Sequence, residues 1–152
     1  MMPAQASIAP LLAIYVCSVD GDTITRPHTA HYLEIFIFSY DDTLAVWDTR
    51  MFRGPSDQLN LGGGVWRIRQ HLTDPNTLAL AAMYNGFHIY DASLNSSVVH
   101  FKEHESLAYG IDFRHGGSQT GLSKTLVSCS FYDHLVKVWE VTPTSPAWGY
   151  LE

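Results

Sequence analysis

Two short stretches of the chain concentrate side chains that can move protons. His104, Glu105 and Ser106 follow one another, and Asp133 and His134 stand side by side further on. A histidine, a carboxylate and a hydroxyl gathered at one place are chemically adequate for hydrolysis. A general base activates water or a hydroxyl, and nearby donors steady the oxyanion that forms. Each residue also has a plainer use. His104 and Asp133 suit a structural pair, because a buried carboxylate needs a partner. Ser106 suits the start of a strand, and no G-x-S-x-G elbow surrounds it. Nothing in the sequence gives His134 a structural duty, so it stands out as the candidate base. Trp66, Arg67 and Tyr109 lie in neighbouring segments, where the rings either pack a core or face a cation. His28 and His31 are three apart with no third ligand in view, which predicts no metal site.

Positioning these residues is the task of a repeat. Residues 33–50 (LEIFIFSYDDTLAVWDTR), 78–91 (LALAAMYNGFHIYD) and 125–141 (TLVSCSFYDHLVKVWEV) share one pattern: an apolar run, a tight polar turn, then an alternating run ending in an aromatic residue and an acid. The aromatics Trp47, Tyr90 and Trp139 fall 43 and 49 residues apart. A period near 40–45 with a W-D ending is the signature of WD repeats, each folding as one four-stranded blade of a β-propeller. The β-branched and aromatic content of the runs, bounded by Gly, Asn and Asp, predicts strands joined by hairpins. Residues 64–70 and 107–113 are the predicted inner strands, with a weaker one over 16–19. Residues 58–61 and 98–102 are the predicted outer strands. Asp41 and Asp133 each precede their tryptophan by six residues. In propellers of this class the turn aspartate bonds a histidine from the loop entering the blade, so His104 is the predicted partner of Asp133. The middle repeat departs, with Asn85-Gly86 at its turn.

These features predict an all-β fold, a partial propeller of about three antiparallel blades arranged as an open arc. The expected organisation is an irregular segment over residues 1–15, three repeats over 16–141 and a tail over 142–152. That tail, with two prolines, reads as a poor closing strand. Four to eight blades usually close a ring, so the expectation is a fragment, an incomplete gene product or a piece that assembles with something else.

The composition narrows the function classes. A net charge of −6 gives no electrostatic footprint for nucleic acid or an anionic membrane. The apolar run from Ile8 to Val16 is too short to span a bilayer and has no basic residue before it. With two cysteines there is no disulfide framework, and a reducing, cytoplasmic setting is expected, without cofactor.

Four motifs go beyond generic repeats: SYDD with WDTR (39–42, 47–50), GGGVWRIRQH (62–71), HESLAYGIDF (104–113), and CSFYDH ending in VWE (129–134, 138–140). In this order they resemble the C-terminal half of the WD-repeat diphthine methyl esterase family. Ala82 and Tyr84 depart from that pattern where Cys and His are usual, and Phe38 stands where a small residue is usual. The resemblance implies hydrolysis of a methyl ester on elongation factor 2 during diphthamide formation. It implies His134, Ser106, His104 and Asp133 as the catalytic candidates. Trp66, Arg67, Glu105, Tyr109 and Asp112 would contact the substrate, with Glu105 or Asp112 attracting its trimethylammonium group. A second class remains open. LAVWDTR (44–50) resembles the WDxR box by which substrate receptors dock on a cullin-ligase adaptor, with Arg50 as the contact, and such a protein would bind partners without hydrolysing anything.

Overall fold

The computed structural model describes residues 13–18, 33–38, 40–48, 53–74, 76–114, 123–144 and 147–151. They form twelve strands in three antiparallel sheets of four. The first blade holds β1 (Ala13–Ser18), β2 (Leu33–Phe38), β3 (Thr43–Asp48) and β4 (Asp57–Asn60). The second holds β5 (Val65–Gln70), β6 (Thr77–Ala82), β7 (Phe87–Asp91) and β8 (Ser96–Phe101). The third holds β9 (Ala108–Phe113), β10 (Lys124–Ser130), β11 (Val136–Thr144) and β12 (Ala147–Leu151). Within each sheet, strands neighbour one another in chain order. The architecture is the all-β partial propeller expected. The described residues contain a single helical element, the 3-10 turn Met83–Asn85, and no helix long and apolar enough to cross a membrane.

Alternation along β6 explains why the blades stack. Leu78, Leu80 and Ala82 point to the first blade and share a core with Phe36, Leu44, Val46 and Ile68. Ala79 and Ala81 point the other way, into a core with Phe87, Phe101, Ile111, Leu126 and Trp139. Successive residues of a strand face opposite sides, so a strand between two blades must be apolar throughout. All six residues of β6 are buried.

Two expectations change. Trp139 is buried as predicted, but Trp47, predicted to match it, is only half-buried. Tyr90 and Trp139 both turn towards the preceding blade. Trp47 lies on the face of β3 opposite Leu44 and Val46, and no described sheet covers that face. The tail expected to be a poor strand instead extends β11 and forms β12. Pro143 sits opposite Trp148, past the point where β10 begins at Lys124↔Val141. It therefore has a neighbouring strand on one side only, the setting in which a proline's missing N–H is tolerated. The weak inner strand predicted over 16–19 is β1, three residues earlier. The Gly/Ser-rich excursion of residues 115–122, His28, His31 and Arg50 lie outside the described residues.

Candidate functional site

The predicted pair meets. His104, in the loop entering the third blade, donates from Nδ1 to Asp133 Oδ2 at 3.2 Å, and both side chains are nearly buried (2% and 10% exposed). The carboxylate can only accept, so Nδ1 carries the proton. In the neutral ring Nε2 then accepts from the Ser128 hydroxyl at 2.9 Å, and Ser128 Oγ accepts from Trp139 Nε1 at 3.1 Å. The result is a relay of four side chains drawn from two strands, the turn between them and a loop, closed over by Phe101 stacked on Trp139 at 4.3 Å. The Ser130 hydroxyl, the Leu135 amide and His104 hold the Asp133 carboxyl at about 2 against the opposing effect of burial. The geometry commits His104 and Asp133 to one another and to Ser128.

His134 is placed by its turn. In the first blade the Thr43 amide donates to Asp41 Oδ1 at 3.1 Å; in the third, the Leu135 amide donates to Asp133 Oδ1 at 2.9 Å. The residue after each aspartate, Asp42 and His134, has φ of 66° and 55°. Asp, Asn and His are the non-glycine residues that best tolerate this left-handed region. The turn thus does restrict position 134, contrary to the sequence reading, while leaving the imidazole exposed.

Ser106 lies beside that turn, its Oγ accepting the Tyr132 amide at 3.0 Å, and Glu105 next to it is exposed. Trp66 and Tyr109, from the inner strands β5 and β9, lie 5.3 Å apart. Tyr40 meets Trp66 at 5.9 Å, Phe131 meets Tyr109 at 5.5 Å, and Tyr132 meets Phe131 at 4.9 Å. One end of the three blades therefore carries a continuous row of five rings, with Ser106 at one flank. Arg67 is exposed. Asp112 lies further along β9, in an ion pair with Arg69 of β5 at 3.2 Å. The structure thus brings together Ser106, Trp66, Tyr109 and the 131–134 turn, and sets Asp112 apart from them.

Sequence reasoning missed Tyr40, Phe131, Tyr132 and Ser128. A signal existed for the tyrosines: SYDD, MYNG and FYDH each carry one just before the turn, at Tyr40, Tyr84 and Tyr132. All three are exposed. At the opposite end of the blades, Lys124 donates to Asp74 and to Thr77 Oγ1, joining the second blade to the third. Burial acts to raise the Asp74 pKa, but the hydrogen bonds from Lys124 and Thr77 and the Lys124 charge outweigh it and leave it lowered. Among the described residues no three His, Cys, Asp or Glu side chains gather to hold a metal ion.

No family model matches the chain. Individual relatives do. A diphthine methyltransferase homolog from Dictyostelium discoideum is 33% identical over 116 residues, covering 69% of this chain and 31% of the relative. The diphthine methyltransferase of Schizosaccharomyces pombe is 39% identical over 108 residues, 66% of this chain and 31% of its own length. That of Mus musculus is 34% identical over 105 residues, 64% and 21%. The chain spans about a third or less of the length of these relatives. Taken with the partial propeller and the ordered motifs it carries, these matches show that the chain belongs to the diphthine methyltransferase family, the diphthine methyl esterases.

Proposed function

We propose that this chain forms part of a methyl ester hydrolase that acts on diphthine in elongation factor 2, within diphthamide biosynthesis in the cytoplasm. The observation that carries the reading is the gathering of GGGVWRI, HESLAYG and CSFYDH at one end of the blades. There Trp66, Tyr109, Ser106 and the His134 turn are neighbours. Generic blade packing accounts for the buried His104 relay, but not for rings, a hydroxyl and an imidazole left open to solvent. In the reaction, water or the Ser106 hydroxyl attacks the ester carbonyl. His134 takes the attacking proton, methanol leaves with a proton, and the side chain is left as a carboxylate (after a second water step if Ser106 is acylated). Glu105 would lie towards the substrate's cationic group.

The relatives are named as methyltransferases, and the test separates the two chemistries. An esterase releases methanol from methylated elongation factor 2 and needs only water; a transferase consumes a methyl donor. In a full-length relative, replacing the residue equivalent to His134 with Asn respects the left-handed turn and removes the base. Hydrolysis should fall by roughly 10²- to 10⁴-fold with an unchanged melting temperature. Undiminished methanol release by that variant would remove His134 from the mechanism. No methanol from the parent protein would sink the hydrolase reading.

A further inference from the structure

The row of rings has a structural cause that points to a ligand. Along β5 the partners on β6 run Val65↔Ala82 and then Arg67↔Ala81, so Trp66 is an extra residue in the ladder. Along β9 the partners on β10 run Gly110↔Cys129 and then Ala108↔Ser130, so Tyr109 is an extra residue in the same place of the next blade. Each is a β-bulge, a device that re-aims a side chain and is over-represented beside active sites. Two residues further along, Ile68 and Ile111 are buried between blades. Without its bulge each strand would continue its alternation from that point. With it, Trp66 and Tyr109 are lifted to the end of the blades and set together. Gly64 completes the arrangement: a Cβ there would come within 3.2 Å of Tyr40 Cα, so its absence lets the Tyr40 turn close on Trp66.

The rings are not simply packing against each other. Tyr109 is 42% exposed and Phe131 51%. Among the described residues, no lysine or arginine stacks on any of the five. Carboxylates flank the row: Asp41 and Asp42 follow Tyr40, and Glu105 precede Ser106, which is tied to the Tyr132 amide. Bare π-faces attract cations, and most strongly those that shed water readily. A primary ammonium is compact and strongly hydrated, whereas a fully methylated one spreads its charge over methyl groups that also cover apolar ring surface.

We propose that the bulged rings Trp66 and Tyr109, flanked by Tyr40 and Phe131, form a binding ledge for a quaternary ammonium group. For its natural cation, the trimethylammonium of diphthine, the ledge rests on the proposed function above; the recognition itself rests on the bulges and the bare rings. It assigns Tyr40 and Phe131 to binding and takes the cation away from Asp112.

The test is a titration of the intact 152-residue chain with choline and with 3,3-dimethylbutan-1-ol, its uncharged isostere, followed by ligand methyl proton resonances. Choline methyls should move upfield, as ring currents require, and saturate. The isostere should bind roughly fivefold to tenfold more weakly, the cation–π contribution expressed as affinity. Trp66→Leu and Tyr109→Leu keep the apolar surface but remove the π-face, and each should weaken choline by a similar factor. Phe131→Leu, at a more exposed ring, serves as the variant least able to disturb the fold. Equal binding of choline and its isostere, or leucine variants that bind choline as the parent does, would overturn the ledge. Saturable choline binding together with a full-length relative that releases no methanol would leave the ledge standing and remove the hydrolase reading. Methanol release with an unchanged KM after the corresponding leucine replacements in that relative would do the reverse.

Discussion

The loops entering the second and third blades do the same work by different chemistry. Entering the third, His104 reaches the Asp133 carboxylate of the hairpin turn and passes the connection to Ser128 and Trp139. Entering the second, the loop meets the turn through its backbone: Asn85 of the 3-10 turn donates through Nδ2 to the Leu61 carbonyl. Glycines make that approach possible. A Cβ on Gly63 would stand 2.8 Å from the Ala82 oxygen and 2.9 Å from the Asn85 nitrogen. One joint is therefore held by ionisable side chains in series, the other by a neutral amide and close backbone contact. A blade can thus lose the histidine–aspartate pair and keep its entry loop in place, provided the loop is slim enough to come within reach of the turn.

The difference can be broken from either side. The largest effect should come from Trp139→Ala, which removes the ring stacked on Phe101 and empties the centre of the joint between the second and third blades. A loss of about 3–5 kcal/mol is expected in chemical denaturation. A value under about 1 kcal/mol would mean that neither the ring nor its bond to Ser128 carries that joint.

Acid should act on the second blade before the third. His88 of β7, buried and stacked on His100 at 4.2 Å, has its pKa pushed down to about 4, first by burial and then by the charge of His100. The unfolded chain takes up a proton near pH 6.5 while the folded one does not, so stability is full above that pH and falls as pH drops towards 4. The loss is about 3 kcal/mol, and His88→Gln should flatten it. Asp133, with its lowered pKa, contributes stability that is full above the ordinary carboxylate range and is lost only as pH falls from about 4 towards about 2. Melting temperatures recorded across pH 7 to 2 would separate the two limbs. A single limb below pH 4 would contradict the assignment to His88.

Ser128→Ala should cost about 1–3 kcal/mol, because Trp139 Nε1 and His104 Nε2 both lose their partner inside the joint. Asn85→Ala should cost less, about 1 kcal/mol, with no dependence on pH between 8 and 5 beyond that of the parent. A pH-dependent Asn85→Ala penalty would erase the distinction between the two joints.

Most of the strand order was legible, for a physical reason. Runs such as TLAVWD alternate against a buried face, and their turns carry Asp, Asn or Gly, so pattern and punctuation agree. The His104–Asp133 bond was legible because a six-residue spacing before tryptophan fixes where the turn lies. The burial of Trp47 was not, because it depends on what packs against the outer face of β3, and β3 itself carries no trace of that. Ser128 was hidden among the small residues of TLVSCS. The bulges at Trp66 and Tyr109 were hidden too: a single extra residue changes which partner each side chain meets and leaves composition untouched. Without the bulges, both rings read as ordinary packing, and the ledge could not be seen.

The strand β6 has a consequence for how the molecule comes apart. Its odd and even residues belong to different cores, Ala79 and Ala81 to one and Leu78, Leu80 and Ala82 to the other. Neither core can open fully while β6 keeps its place, and moving β6 opens both. Its amide protons should be among the last to exchange with deuterated solvent, at the free energy of global unfolding. The first two strand pairs on either side should follow it in one cooperative transition, so that the second blade acts as the hinge pin on which the stability of its neighbours turns.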